Sequence, residues 1–559
     1  MLSFDVCIVG AGPAGLALAK ELDGGPYRVC LLESGAREPT ARAQDLANGA
    51  VELNRDCYDN PAFLHARAVG GTAHRWCISI DDETYFRVGK LEPIDFEARR
   101  WLPHSGWPLD AAELEPYYRR ALDRCGLGSS SSFDSMSWAD SAHQPVPSIS
   151  GRLESQVYLF GRQRVFLHEL PGQMTASGNV MLLTDSTCVE LESVDGGARV
   201  TRARVRTFNG RQFFVAARAV VLAQSGFEVP RLLLASRADV GRGLGNQHDL
   251  VGRYLTDHQL VKAGSIVAVS RQAGSRLGFY DTRVHREVPV AGKLSIADKA
   301  LDDEQILASA LMLVPRPSWS PARVVQHLFG RETTARSPAL ASAMTVRRSI
   351  KHHTWPRNLA RHCSNMIRGA DDLVYGLTRY HSAFQPRYTI DQGGWSEPAA
   401  PGVNTIEAIQ ICEQAPDPGN RITLSNDRDA LGMPKPAVRL TWGDFDRQSV
   451  CRAQDIFSQE LETAGVGRLA SLRRDGDPMV RQISAHHPAG TTRMSSDPRS
   501  GVVDADCRVH GTNNLFVASS SVFPTSGYTP PTLTILALAI RLADELVSIL
   551  GYNDLPPIL

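Results

Sequence analysis

Three features are missing from this sequence, and each absence excludes a class of protein. Neither sign of charge is in excess, because 60 Lys and Arg residues balance 60 Asp and Glu residues. The chain as a whole therefore lacks the basic footprint of a protein that binds nucleic acid or an anionic membrane surface. Its 10 cysteines are scattered without a CxxC pair, which excludes a zinc ribbon, and we expect reduced thiols. No apolar run reaches the ~20 residues of a membrane-spanning helix.

The start of the chain also lacks a targeting pattern. MLSFDVCIVGAG carries no basic residue ahead of its apolar run, and it passes straight into a glycine-rich turn. We therefore expect no secretory signal and a cytoplasmic location. Since 43% of the 559 residues are hydrophobic, the chain is long enough for a large core and for more than one domain.

A dinucleotide-binding pattern is present near the N-terminus. Residues 5–9 form an apolar run that predicts a buried parallel strand, GAGPAG follows, and LALAKEL predicts a helix. In this context Gly10 allows a tight turn, Gly12 lets the backbone approach a pyrophosphate, and Gly15 permits close helix packing. The pattern predicts a dinucleotide site at the start of the helix.

An acidic residue follows at the expected distance. A second predicted strand, residues 28–32, delivers Glu33, whose carboxylate suits ribose hydroxyls. The acidic side chain disfavours NADP, whose extra phosphate calls for arginine. The pattern does not separate FAD from NAD.

Two other segments offer backbone that can approach such a ligand. In ARAVGGTAHRW, Gly70 and Gly71 provide conformational freedom and exposed amides. Residues 219–223 form an apolar strand that ends in a small-residue turn before EVPRLLLAS, which repeats the strand, loop and helix order of the N-terminus. An ordinary turn explains either segment as well, so the residues alone leave both interpretations open.

The C-terminal part combines candidate catalytic residues with an apolar helix. HHPAGTTRM places His486 and His487 side by side, and a neutral imidazole suits general-base catalysis near neutral pH. On residue type alone, either histidine is a candidate base. SSSVFPTSGYTPPTLTILALAIRLADEL follows and predicts a long helix that begins at Pro530, whose positive end can stabilise negative charge.

The middle of the chain gives fewer signals. Residues 323–370 are strongly basic and partly amphipathic, which predicts a solvated helical surface, with a docking face for a protein or lipid partner as the alternative. His352 and His353 lie in this run, but adjacent side chains project in different directions. We therefore predict no metal site.

These motifs, in this order and over essentially the whole chain, resemble those of the glucose-methanol-choline (GMC) flavoprotein oxidoreductases. The segments that carry the resemblance are GAGPAG with Glu33, RAVGGTAHRW, VVLAQSGFEVPRLLLAS, GNQHDLVGRYLTDH and the C-terminal block. The last block is most similar to the bacterial pyranose-oxidase-like and aminoglycoside-biosynthesis sugar oxidases. The resemblance implies a mixed α/β fold in which a Rossmann-like FAD-binding domain is interleaved with a substrate domain built on an antiparallel sheet with helices.

The resemblance also implies the chemistry. FAD accepts a hydride from an alcohol carbon of a sugar, glycoside or aminoglycoside-type polyol, a histidine removes the hydroxyl proton, and oxygen is the expected electron acceptor. Matching the HxxGT pattern residue by residue puts the base at His487, because Gly490 and Thr491 supply the last two letters. His486 is then a neighbour with a supporting role.

The resemblance implies FAD contacts for a larger set of residues. These are Gly10, Gly12, Pro13, Ala14, Gly15, Glu33, Arg67, Gly70, Gly71, His74, Val189, Ser519, Ser520, Pro531 and Thr532.

Two departures from the family pattern concern the site. Pro530 stands where the family has Asn or His, the second polar partner of the substrate hydroxyl, and proline offers neither donor nor acceptor in its side chain. We expect Tyr528 or a water molecule to share substrate orientation. Family members with covalently bound FAD have histidine at the position of Arg75, whereas His74 falls one place early. We therefore predict non-covalent FAD.

Three alternatives stay open at this point. The enzyme can be a dehydrogenase that passes electrons to a quinone or protein acceptor, and Pro530 motivates a catalytically degenerate flavin-binding protein. A nicotinamide-dependent enzyme fits the first fingerprint but gives the C-terminal block no purpose. We expect no nucleic-acid partner, and the sequence leaves the oligomeric state open.

We expect two interleaved domains. The FAD-binding domain is predicted to comprise residues 1–100, 175–260 and 470–559. The substrate-binding domain and cap are predicted to comprise residues 101–174 and 261–469, including the basic helical segment 323–370.

Overall fold

Helices occur in both the N-terminal and the C-terminal parts of the described chain. The structure, a computed structural model, describes residues 1–51, 61–76, 78–80, 83–141, 143–269, 277–317, 338–351, 355–356, 358–370, 373, 403–474, 476–482, 485–551 and 555. The α-helices in these ranges are Pro13–Leu22, Ala41–Asp45, Pro61–Leu64, Pro93–Phe96, Ala111–Arg124, Leu170–Ala176, Glu228–Ala235, Asp298–Glu304, Pro338–Lys351, Leu359–Arg368, Asp444–Thr463 and Thr532–Gly551. Short 3-10 turns are Gly71–Arg75, Ser135–Trp138, Leu277–Tyr280 and Ser520–Val522, and a π-helical turn spans Val165–Glu169.

A mixed sheet is assembled from N-terminal strands, a central meander and one C-terminal strand. In spatial order it runs Val180–Leu183, Val29–Leu32, Leu2–Val9, Gln212–Leu222, Arg199–Arg206 and Thr187–Val194, and Leu515–Val517 also pairs with Gln212–Leu222. The first strand pairs in parallel with both of its neighbours, and its Cys7 to Val9 run is buried, as a strand inside a parallel sheet requires. The carboxyl ends of its parallel strands therefore meet at one edge.

A second sheet is antiparallel in its described pairings. In spatial order it runs Gly467–Ser471, Gln259–Ala268, Val403–Cys412, Ser309–Pro317, Val288–Ile296, Leu153–Arg162, Glu83–Val88 and Ile78–Ile80. Thr282–His285 pairs with Val288–Ile296, and Val480–Gln482 pairs with Gln259–Ala268. A smaller sheet joins Arg421–Arg428, Pro434–Arg439 and Ala50–Val51, and Arg473–Arg474 pairs with Asp477–Pro478. Segments of the first two sheets alternate along the chain, so the predicted interleaved α/β fold is confirmed.

The long helix near the C-terminus packs against two other helices. We call Thr532–Gly551 the C-terminal helix and Pro13–Leu22 the fingerprint helix. The C-terminal helix packs against the fingerprint helix and against Ala111–Arg124. The Tyr118 hydroxyl lies 3.0 Å from that of Thr534 in the second contact. The C-terminal helix begins at Thr532 rather than at the predicted Pro530, and its first turn closes through the hydrogen bond from the Ile535 N–H to the Pro531 carbonyl.

The division into domains remains a proposal. Strands Ile78–Ile80 and Glu83–Val88, which fall within the N-terminal segment 1–100, lie in the antiparallel sheet. Val480–Gln482, in the C-terminal segment 470–559, pairs with the same sheet.

The basic middle segment is described in part. Residues 338–351, 355–356 and 358–370 are described, and they include the helices Pro338–Lys351 and Leu359–Arg368. Trp355 and Ile367 are exposed there. Within the described part of the chain, every helix is too short or too polar to cross a membrane.

Candidate active site

A cavity opens at the edge where the parallel strands of the mixed sheet end. Its walls come from the turn after Leu2–Val9, the end of Val29–Leu32, the loop after Gln212–Leu222, residues 64–76 and the C-terminal block. Eleven predicted FAD contacts line it: Gly10, Gly12, Pro13, Ala14, Glu33, Arg67, Gly71, Ser519, Ser520, Pro531 and Thr532. Folding thus gathers one cavity from segments more than 500 residues apart in the chain.

The turn after the first strand is glycine because no side chain fits there. Gly10 has a φ of 109°, and a Cβ on it would lie 2.9 Å from the Ala223 carbonyl oxygen. Gly15 does not line the cavity, but a Cβ on it would lie 1.9 Å from the Gly10 carbonyl oxygen. The fingerprint helix therefore packs directly beneath the turn and presents its N-terminus, at Pro13, to the cavity.

The glycine pair of RAVGGTAHRW lies against this turn. The Gly70 N–H donates to the Ala11 carbonyl at 2.8 Å, and a Cβ on Gly71 would lie 2.8 Å from the Gly12 Cα. Gly71 lines the cavity, whereas Gly70 lies behind it. This close backbone approach is what the two glycines permit.

The histidine after the glycine pair turns away from the cavity. Nε2 of His74 lies 2.9 Å from the Val69 carbonyl oxygen, and burial lowers the pKa of the His74 imidazole. Arg75, the next residue, lines the cavity instead. Val189 is likewise buried in its strand, and its neighbours Thr187 and Cys188 form the wall.

The Glu33 carboxylate is anchored at the end of its strand. Its Oε2 accepts the Ala11 N–H at 3.0 Å, and its Oε1 accepts the Gly35 N–H at 2.8 Å. Burial raises the pKa of Glu33, although these hydrogen bonds favour the charged form. The carboxylate is therefore fixed in place at the cavity wall.

Several buried polar atoms in the wall still need a partner. Oγ1 of Thr187, Oε1 of Gln224 and Oγ of Ser225 have no hydrogen-bond partner among the described residues. Buried polar groups in proteins are almost always hydrogen-bonded. The cavity wall therefore suits a polar ligand, and with the glycine turns and Glu33 it fits the dinucleotide that the fingerprint predicts.

A buried cluster of charges supports the wall beside Arg67. Nη2 of Arg67 lies 2.5 Å from Oε2 of Glu228, whose carboxylate also contacts His65 and the fully buried Arg231. Arg231 pairs in turn with Asp429 at 2.7 Å. Burial alone would raise the pKa of Glu228, but the guanidinium groups of Arg67 and Arg231 outweigh it and hold that pKa well below its usual range.

We expect the Glu228→Gln variant to lose stability at neutral pH and to respond less steeply to acid. Because the pKa of Glu228 is depressed in the folded state, its contribution is present above the unfolded pKa and is lost as pH falls through the folded pKa. Breaking such a buried pair costs roughly 3–5 kcal/mol. Urea denaturation at neutral pH and at stepwise lower pH measures both effects. Glu169→Gln, which removes the exposed partner of Arg164, is the matched control and should change little.

The two adjacent histidines of the C-terminal block both line the cavity. His487 Nδ1 lies 3.0 Å from Nδ1 of His258, and the His487 N–H donates to Oδ1 of Asp257 at 3.0 Å. Burial, followed by the nearby His258, His486 and Arg87, lowers the pKa of His487 well below its usual range. The imidazole is therefore neutral near neutral pH, as a general base must be. His486 has a φ of 65°, an uncommon conformation for a residue other than glycine.

The structure does not bring Tyr528 to the cavity lining. Its side chain is buried, its hydroxyl lies 2.9 Å from Nζ of Lys293, and it donates to Oε1 of Gln156 at 3.2 Å. Burial and the Glu92 carboxylate raise the pKa of Tyr528, so the side chain stays a neutral phenol. Tyr528 therefore holds the loop before the C-terminal helix against the antiparallel sheet.

Other lining residues were not singled out from the sequence. They include Ser34, Leu64, His65, Thr72, Trp76, Ser186, Thr187, Cys188, Gln224, Ser225, Gly226, Glu228 and Met433. Residues 224–226 follow the second apolar strand, whose small-residue turn was the available signal. Among the described residues, no three His, Cys, Asp or Glu side chains are grouped to hold a metal ion. His352 and His353 lie outside the described residues.

Known proteins are similar to this chain over nearly its whole length. The family model described as GMC oxidoreductase matches residues 416–539. The chain is 35% identical to the fructose dehydrogenase large subunit of Gluconobacter japonicus, with 98% of each chain covered. It is 33% identical to the 6'''-hydroxyparomomycin C oxidase of Streptomyces lividus, with 98% of this chain and 92% of that protein covered. A fungal aryl-alcohol oxidase of known structure shares the fold, with a TM-score of 0.51 at 15% identity over 98% of this chain and 99% of that one. The chain belongs to the GMC oxidoreductases, the FAD-dependent enzymes that oxidise alcohols.

Proposed function

We propose that this protein oxidises an alcohol group of a sugar, glycoside or aminoglycoside-type polyol, with His487 as the base and oxygen as the electron acceptor. The observation that carries the proposal is the position of His487, whose neutral imidazole lines the same cavity as the dinucleotide fingerprint. The substrate class is supported by the names of the two relatives, one a fructose dehydrogenase and the other an oxidase of an aminoglycoside.

Different residues have different roles in the proposed reaction. Bound FAD would supply the chemistry that the side chains lack, which is acceptance of a hydride from the alcohol carbon and transfer of its two electrons to oxygen to give hydrogen peroxide. Nε2 of His487 takes the hydroxyl proton, so the alcohol leaves as a carbonyl compound with two electrons and two protons fewer. Gly12, Glu33 and the N-terminus of the fingerprint helix would hold the pyrophosphate and ribose. The N-terminus of the C-terminal helix, at Pro531 and Thr532, would stabilise negative charge at the flavin end.

A second polar side chain is needed beside His487 to orient the substrate hydroxyl. Pro530 supplies no side-chain donor or acceptor, and Tyr528 lies outside the cavity lining. His486 also lines the cavity, next to His487, and in this proposal it is the second polar partner of the substrate hydroxyl.

A dehydrogenase that uses another acceptor is the second candidate. The 35% identity with fructose dehydrogenase over nearly the whole of both chains favours it. Oxygen uptake separates the candidates: an oxidase forms one peroxide per sugar oxidised in air, whereas a dehydrogenase turns over only with an added quinone or dye.

We propose that FAD is held without a covalent bond. The orientation of His74 toward the Val69 carbonyl, away from the cavity lining, supports this. We expect acid precipitation to release the yellow colour into the supernatant. Flavin that stays with the precipitated polypeptide after washing would contradict this expectation.

A further inference from the structure

We propose that His258 is a positioning residue that fixes the tautomer of His487 and so leaves Nε2 of His487 as the proton acceptor. The inference rests on the proposed role of His487 as the base. His258 is the last residue of the segment GNQHDLVGRYLTDH. No residue of this segment lines the cavity, and the proposed reaction gives the segment no role.

A backbone carbonyl sets the tautomer of His258. Its Nε2 lies 3.3 Å from the Ser526 carbonyl oxygen, which can only accept a hydrogen bond, so Nε2 carries a proton. The side chain is completely buried, and burial lowers the pKa of His258 to about 4. A neutral imidazole has one N–H, and therefore Nδ1 of His258 is an acceptor.

The tautomer of His487 follows from the contact between the two rings. The Nδ1 atoms of His258 and His487 lie 3.0 Å apart, and one of them must donate. Since Nδ1 of His258 accepts, Nδ1 of His487 carries the proton of that neutral ring. Nε2 of His487 then keeps its lone pair, which is the state that general-base catalysis requires.

The opposite tautomer is disfavoured by the same contacts. A proton on Nε2 of His487 would leave two lone pairs facing each other, unless His258 moved its proton to Nδ1 and the Ser526 carbonyl lost its donor. Leaving a buried polar group without its hydrogen-bond partner is unfavourable. The tautomer of His487 with the proton on Nδ1 therefore dominates.

The neighbouring residue fixes the backbone of the base. Oδ1 of Asp257 accepts the N–H groups of His487 at 3.0 Å and of Ala485 at 3.2 Å. Asp257 and His258 thus hold the backbone and the ring of His487 from one segment. Neither residue is in the cavity lining, so both reach the cavity only through their contacts with His487.

A pair of substitutions isolates the acceptor at Nδ1. His258→Leu and His258→Asn both remove the donor to Ser526, but the Asn Oδ1 keeps an acceptor near the position of Nδ1. We expect anaerobic flavin reduction by sugar to slow about 100-fold in His258→Leu and to recover to within about tenfold of wild type in His258→Asn, since a wrong tautomer is known to cost up to about 10⁴-fold. FAD content and thermal unfolding verify that both variants fold.

Nitrogen NMR of the histidine-labelled holoenzyme gives a direct readout. The His487 signals are identified by their absence from the His487→Ala spectrum. We expect the wild-type ring to be protonated on Nδ1, and His258→Leu to shift toward protonation on Nε2. A wild-type His487 protonated on Nε2 would overturn the inference even if the leucine variant failed to fold.

The outcomes separate the two proposals. If His258→Leu reduces flavin within twofold of wild type while His487→Ala does not reduce it, His487 is the base and the role of His258 is refuted. If His487→Ala retains most of the rate, the proposed function of His487 fails instead.

Discussion

Replacing His487 with alanine is expected to slow flavin reduction by sugar about 10²- to 10⁴-fold while FAD stays bound, because a positioned general base contributes rate enhancement of that order. The imidazole lines the cavity, and its lowered pKa keeps it unprotonated near neutral pH. The fingerprint residues that we expect to hold FAD are unchanged by the substitution. Anaerobic stopped-flow measurement of the visible flavin absorbance gives the rate.

A second histidine provides the matched control for this substitution. His510 lies outside the cavity lining, and its Nε2 lies 2.8 Å from the Ser495 carbonyl oxygen. His510→Ala should reduce its flavin at close to the wild-type rate. If His487→Ala and the wild-type protein reduced flavin at equal rates, His487 would not be the base.

Replacing Gly15 with alanine is expected to yield protein with little bound FAD and a lower unfolding temperature. The added Cβ would lie 1.9 Å from the Gly10 carbonyl oxygen, which is backbone and cannot rotate away. The fingerprint helix must move from the turn, and the turn must then open. Overpacking of this kind costs about 1–3 kcal/mol or more. Flavin absorbance of the purified protein and calorimetry measure the two effects.

Gly172→Ala is the matched control for the glycine variant. Gly172 lies in the helix Leu170–Ala176, and a Cβ on it would have no neighbour within 4 Å. Alanine also has the higher helix propensity, so stability should be unchanged or slightly higher. A Gly15→Ala protein that binds FAD and unfolds like Gly172→Ala would show that the turn tolerates the side chain.

The sequence predicts those helices, strands and turns whose signals all lie within one short segment. The strand, glycine turn, helix and acidic residue at the N-terminus could be predicted because each obeys a local rule. Residues 180–191, VMLLTDSTCVEL, have a pattern typical of one strand, but the structure divides them into Val180–Leu183 and Thr187–Val194. Asp185, with a φ of 51°, lies in the turn between them, and a left-handed aspartate leaves little trace in a hydrophobic pattern.

Contacts between distant segments could not be predicted. Tyr528 lies close in sequence to the motif that contains the candidate base, yet its hydroxyl accepts a hydrogen bond from Lys293, 235 residues away, on a strand of the antiparallel sheet. The ring contact of His258 with His487 spans 229 residues and is likewise set by the fold alone. Single-sequence patterns indicate His487 as the candidate base, whereas its contacts with His258 and Asp257 become visible only once the sheets are assembled.

Anaerobic flavin reduction by a panel of monosaccharides, glycosides and aminoglycoside precursors tests the proposed sugar oxidation most directly. We predict that at least one of them bleaches the visible absorbance of the wild-type flavoprotein and that deuterium on the oxidised carbon slows the bleaching. If dithionite bleaches the protein but no sugar-type alcohol does, the proposal of a sugar oxidoreductase is contradicted.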